Sequence, residues 1–229
     1  MLFLPGTLCT PAVFEFQIIE LANVAPRIDV LRFTAQDSIS KMADLAIDQI
    51  RHRDGAAIIG FSMGGMVAME IARKTPQLVK KLALLNTNFH ADLNDRKAAR
   101  EKYLELAKLT GMENVIRHSY LESYLHKPTK GAEDLIVKMA CELGIECFEA
   151  QSKALSERPD STATLPGIKC PTLILSGTQD RLCSTSTQTE MQQMIENSEL
   201  VMLQDCGHFS ILEQPDMVND ALRKWYLES

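Results

Sequence analysis

Apolar residues follow two rhythms along this chain. Short, mainly apolar runs at residues 1–4, 28–31, 56–59, 82–85, 172–175 and 200–203 are bounded by turn formers, as expected of strands buried on both faces. Between most of them the apolar positions recur at helical spacing, predicting helices over 13–21, 39–51, 65–74, 188–195 and 216–227, the last with Pro215 near its start. Strands alternating with helices predict a largely parallel sheet covered on both faces. The rhythm breaks once. Residues 87–165 offer no strand, only helical patterns at 95–109, 113–125, 132–143 and 147–155, punctuated by Gly111, Pro128, Gly131, Gly144 and Pro159. A helical block between two strands lies beyond their carboxyl ends, where open α/β sheets bind ligands. Residues 87–165 are therefore expected to form a cap on a core made of 1–86 and 166–229.

Composition narrows the picture without redirecting it. The chain has 229 residues, 45% hydrophobic and 24% charged, enough for one α/β domain with an insertion. A net charge of −6 with no basic block argues against a nucleic-acid partner. Pro5 and Gly6 interrupt the opening apolar run well short of a signal-peptide core, and no run is long enough for a membrane span, so the cytoplasm is the expected location. Six cysteines, at 9, 141, 147, 170, 183 and 206, include no C-x-x-C pair and no zinc-like His spacing, which predicts buried, reduced thiols and no metal. Cys206 lies two residues before His208 and is a candidate for oxidation.

The chemistry concentrates in Gly60-Phe61-Ser62-Met63-Gly64-Gly65, between a predicted strand and a predicted helix. A chain that turns this sharply holds its serine in strained backbone space and tolerates no side chains at the flanking glycines. The Ser62 hydroxyl then projects above the sheet, and the Met63 N–H, opening the helix, can face a developing oxyanion. A serine hydroxyl needs a base, and the base an orienting acid. Of the five histidines, His52 reads as an exposed helix end, His118 and His126 fall in the helical block, and His90 follows the strand at 82–85. His208 stands on a loop just past the last strand, where a base must be. Asp180, just past the strand at 172–175, leads as the acid. Asp205 is its rival but is connected to His208 too closely to orient the ring easily. The loop Leu4-Pro5-Gly6-Thr7-Leu8 after the first strand supplies a second oxyanion donor, the N–H of Thr7 or, as second choice, of Leu8.

These segments resemble the α/β-hydrolase superfamily along nearly the whole chain. Gly60 to Gly65, Gly177-Thr178-Gln179-Asp180 and Cys206-Gly207-His208 match its nucleophile, acid and histidine segments, in its order Ser, Asp, His. Thr7 stands where the family has its oxyanion donor, with Pro5 in place of the familiar histidine. Within the superfamily the chain looks most like the small capped esterases related to pimeloyl-carrier-protein methyl ester esterase. The resemblance implies a six-stranded sheet lacking the family's first two strands; economy, truncation or an edge used in a homodimer are open readings of that difference. It also implies a serine hydrolase acting on a small-molecule ester or thioester without a cofactor, with carbon–carbon cleavage or a ligand receptor as alternatives. Tyr103, Leu106, Met112, Tyr120, Tyr124 and Met139 offer apolar cap surface, expected mainly to pack. Lys127 and Lys130 are expected in a solvated loop.

Overall fold

The computed structural model describes residues 1–228. Six strands, β1 (Leu2–Leu4), β2 (Asp29–Val30), β3 (Ala56–Phe61), β4 (Val79–Leu85), β5 (Thr172–Gly177) and β6 (Ser198–Leu203), form one sheet in the order β2-β1-β3-β4-β5-β6, with every pairing parallel. The apolar runs hide a period of two. Leu2, Leu4, Ile58, Leu82, Leu84 and Ile174 join the core on one face, whereas Phe3, Ile59, Ala83, Leu85, Leu173 and Leu175 join the core on the other. Both faces are buried, so alternation in direction leaves no alternation in polarity. The edges are weaker: β2 has two residues, and β6 is only partly buried.

Helices α1 (Glu15–Leu21), α2 (Ile39–Ile50), α3 (Met63–Lys74), α8 (Thr185–Met194) and α10 (Pro215–Glu228) cover the two faces. Ile39, Met42, Ala43, Ala46 and Ile50 make the buried stripe of α2, whose start is fixed by Ser38 accepting the Lys41 N–H at 3.2 Å. The chain leaves β1 toward β2, then returns past β1 to β3. The carboxyl ends of β1 and β3 thus flank the point where strand order reverses, the usual location of a site in such sheets.

Between β4 and β5 come α4 (Asn94–Thr110), α5 (Met112–Val115), a π-helical turn (Ile116–Tyr120), α6 (Leu121–Tyr124) and α7 (Lys130–Ser156). The expected helix over 113–125 is thus three short pieces, and the expected break at Gly144 is a kink. Gly144 takes φ 77° within α7, and the helix resumes beyond it. A further short helix, α9 (Ser210–Glu213), follows the last strand and was not expected. All six cysteines are free thiols; Cys9, Cys147, Cys183 and Cys206 are buried, while Cys141 is exposed and Cys170 half-buried, contrary to the expectation that all are buried. Among the described residues no helix is long and apolar enough to cross a membrane.

Candidate active site

The turn from β3 into α3 places Ser62 at φ 53°, ψ −116°, a backbone conformation that costs roughly 1–3 kcal/mol. Its surroundings hold it there. The Ser62 N–H donates to the Leu85 carbonyl at 2.9 Å, and its own carbonyl accepts from the Gly65 N–H at 2.9 Å and the Thr87 hydroxyl at 2.7 Å. A Cβ on Gly64 would collide with the Leu4 carbonyl, and one on Gly60 with the backbone of Gly64 and Gly65. Both glycines are therefore required by close backbone approach.

Three separated segments converge on this serine. His208 Nε2 lies 2.9 Å from Ser62 Oγ, and His208 Nδ1 lies 2.9 Å from Asp180 Oδ2. The loops after β5 and β6 are laced together, with the Gln179 N–H donating to the Cys206 carbonyl and the Cys206 N–H to Gln179 Oε1, each at 2.9 Å. From above, the Tyr124 carbonyl accepts from the N–H groups of His208 and Phe209, at 2.9 and 3.2 Å. Glu213 takes the Gly207 N–H at 3.0 Å with one oxygen and the N–H groups of His126 and Lys127 with the other. The histidine loop is thereby fixed both to the sheet and to the helical block over it.

Asp180 is 8% exposed. Burial alone would raise its pKa; the charge and hydrogen bond of His208, the Asn86 amide and the Cys183 N–H outweigh that and hold the carboxyl below its ordinary value of 3.8. Its Oδ1 accepts from the N–H groups of Leu182 and Cys183, at 2.8 and 2.9 Å. The rival Asp205 is exposed and ion-paired with Lys127 at 3.0 Å. His90 is 40% exposed, between Asp160 and Glu190. Cys206 is fully buried, and burial with the nearby Glu213 and Asp180 charges pushes its thiol up to about 12, which suppresses the reactive thiolate. Asp180, Cys183 and His208 bring potential metal-binding atoms within 4.8 Å of one another. Burial keeps the Cys183 thiol protonated, and it donates to the Asn86 carbonyl, so this group is a poor ligand set.

Asn86 is a participant that sequence reasoning missed. Fully buried at the end of β4, it donates to Asp180 Oδ2 at 3.0 Å and to the Gly207 carbonyl at 3.2 Å, and accepts from the Ser210 hydroxyl. It links Asp180 to the histidine loop. Its only signal in the sequence is an amide directly after a buried apolar run.

The two oxyanion candidates on the first loop are separated by a single contact. The Leu8 N–H, at φ 54°, donates to Gln151 Oε1 at 2.7 Å, while Gln151 Nε2 donates to the Phe33 carbonyl at 2.9 Å. Leu8 is spent, whereas among the described residues Thr7 N–H meets no protein acceptor and Thr7 lines the cavity beside Ser62. Met63 opens α3, so its N–H has no intrahelical carbonyl to meet. Gln151→Leu, which keeps the bulk but loses both hydrogen bonds, is expected to lower stability by about 1–3 kcal/mol through the stranded Leu8 N–H and to reduce kcat more than it raises KM. Urea melts with steady-state kinetics check this.

A cavity of about 280 Å³ opens beside Ser62 and His208. Tyr103, Tyr120 and Tyr124 line it, whereas Met112 and Met139 are buried in the core and Leu106 packs against that core. Lys127 is engaged with Asp205, and Lys130 is an exposed residue opening α7.

The chain is similar to known proteins in sequence and in fold. The chain is 30% identical over 192 residues to a proline iminopeptidase of Lactobacillus crispatus, covering 73% of the chain but only 64% of that protein. It is 26% identical over 196 residues to the pimeloyl-[acyl-carrier protein] methyl ester esterase of Nitrosomonas europaea, covering 81% of the chain and 76% of that enzyme. Among solved structures, a thermophilic esterase from Thermogutta terrifontis superimposes with a TM-score of 0.88 at 26% identity, over 98% of this chain and 88% of that one. The sequence profile described as the alpha/beta hydrolase family matches residues 1–221, and with the parallel sheet and elbow already described this makes the chain a member of that family.

Proposed function

We propose that the chain is a serine hydrolase that cleaves a carboxylic ester or thioester of a small or medium acyl group through an acyl-enzyme, with residues 87–165 as a cap over the site. The observation that carries this reading is the unbroken run of hydrogen bonds from Ser62 Oγ through the His208 ring to Asp180, each link 2.9 Å. His208 Nε2 takes the hydroxyl proton as Ser62 Oγ attacks the carbonyl carbon. Asp180, ionised and buried, fixes the tautomer with the proton on Nδ1 and stabilises the imidazolium that forms. The N–H groups of Thr7 and Met63 receive the negative oxygen, and each such donor is worth roughly 3–4 kcal/mol in the transition state. His208 then passes its proton to the departing alcohol or thiol, leaving Ser62 acylated. Water enters and gives one proton to the same nitrogen as its oxygen attacks the acyl carbon; the Ser62 Oγ–carbon bond then breaks, the proton returns to Oγ, and the free acid leaves.

The relatives named as an esterase and an iminopeptidase act on acyl bonds by name, which fits this reaction class. Stopped-flow kinetics with p-nitrophenyl acyl esters tests it. The expected result is a burst of nitrophenol approaching one equivalent per chain, followed by slower steady turnover. Carbon–carbon cleavage without acylation, or a receptor that does not turn over, predicts that no acyl ester gives this burst.

A further inference from the structure

The cavity beside Ser62 has a wall of one sign. Arg96, Arg100 and Arg158 line it and no aspartate or glutamate does, although the chain carries −6 overall. Arg96 and Arg100 stand four residues apart on α4, a spacing at which like charges share a helix face and repel. Arg158, from just beyond α7, is 6% exposed.

What holds these guanidiniums neutralises them only in part. Behind the cavity, buried Asp92 meets Arg158 Nη1 at 2.7 Å and Arg100 Nε at 3.1 Å. Arg158 also donates to the carbonyls of His90 and Leu155, at 2.8 and 3.0 Å, and Arg96 to that of Leu182 at 3.0 Å. Neutral carbonyls orient a guanidinium without cancelling its charge. One carboxylate therefore serves two of the three cations, and three arginines against one aspartate leave this cluster an excess of two positive charges. Burial, foremost, and the charges of Arg100 and Arg96 pull the Arg158 pKa down against the pull of Asp92, as expected of crowded cations. Charge withdrawn from water without a counter-charge is costly, and a bound anion removes that cost. Arg100 spends Nε on Asp92, which leaves its terminal amino groups without a protein acceptor among the described residues. A planar fork held this way matches a planar carboxylate by two parallel hydrogen bonds.

Building on the serine-hydrolase reading, we propose that this site selects esters whose substrate carries a second, ionised carboxylate, held by Arg100 with Arg96 and Arg158 while the ester carbonyl meets Ser62. Selection rests on charge, because tyrosines lining the same cavity would accept neutral chains as well. Raising the salt concentration is expected to reduce the preference, least through buried Arg158 and more through the half-buried Arg96 and Arg100.

The test compares monomethyl glutarate with methyl hexanoate, a neutral ester of similar size, and with methyl 4-phosphonobutanoate, which replaces the carboxylate by a tetrahedral anion. The expected kcat/KM favours monomethyl glutarate over methyl hexanoate by about 10- to 100-fold, the scale of one charge-assisted hydrogen-bond pair. Arg100→Met is expected to collapse that ratio toward one, and Arg100→Lys to restore part of it. An equal or greater preference for the phosphonate would overturn the carboxylate assignment in favour of a phosphoryl group. Calorimetry on Ser62→Ala, with every arginine in place, gives a second readout that needs no turnover: glutarate should bind at least about tenfold tighter than neutral glutaramide. Equal binding of the two, with equal hydrolysis of the anionic and neutral esters, overturns the inference and leaves the hydrolase reading standing. Selective glutarate binding with no ester cleaved does the reverse.

Discussion

Ser62→Ala is expected to reduce kcat on any accepted ester by about 10⁴- to 10⁶-fold, the scale seen when a member of a cooperating nucleophile–base set is removed. The loss is large because the remaining groups have nothing to act on: His208 has no proton to accept, and an imidazole cannot reach a carbonyl placed for Oγ. The fold should survive. Among the described residues the hydroxyl's one protein partner is His208 Nε2, while the hydrogen bonds that shape the elbow run through the Ser62 backbone and are kept by alanine. An unchanged melting temperature beside lost turnover separates a chemical role from a structural one. Residual activity above background is expected, since the N–H groups of Thr7 and Met63 still polarise a bound carbonyl.

Asp180→Asn is expected to cost about 10³- to 10⁴-fold in kcat, although the side chain keeps its shape. An amide can donate to His208 Nδ1, which moves the ring proton to Nε2 and aims it at Ser62 Oγ, the reverse of what a base requires. The substitution also carries a signature in pH. The carboxyl of Asp180 is held below 3.8 in the folded chain, so its ionised form adds stability that is fully present above that value and lost as pH falls through the lower folded value. Asparagine has no such dependence. The part of the stability difference that comes from Asp180 ionisation should be in place above about pH 5 and shrink at more acidic values, as denaturant melts across the range would record.

The parts of the fold legible in the sequence are those in which burial alone dictates residue type. Strands β1, β3 and β5 are buried along their whole length and β4 from Leu82 to Leu85, so their runs stand out without knowledge of their neighbours. The helical block was legible as helix but not as shape. Gly144 reads as a stop because glycine weakens helices, yet its positive φ bends α7 and the flanking segments continue. Nothing in residues 116–120 announces a π-helical turn, which depends on a hydrogen-bond register set by packing.

The site shows the same division. Ser62 declares itself because its turn demands glycines at fixed offsets, and Asp180 and His208 because a parallel sheet sends every strand to one rim. Asn86 does not, since a polar residue after a strand is commonplace and its bridging of Asp180, Gly207 and Ser210 exists only once the β4, β5 and β6 loops meet. Gln151 and Arg158 are more remote. They reach the first loop and the cavity from the far end of the helical block, a proximity that no local pattern encodes.

The proposed reaction requires Ser62 to become acylated. The most direct measurement is mass spectrometry of the protein quenched in acid during turnover of a p-nitrophenyl ester, followed by peptide mapping. The expected result is a mass increase of one acyl group, located on the peptide containing Gly60 to Gly65 and absent from Ser62→Ala. Steady turnover with no adduct at any quench time, or an adduct that persists in Ser62→Ala, would contradict it.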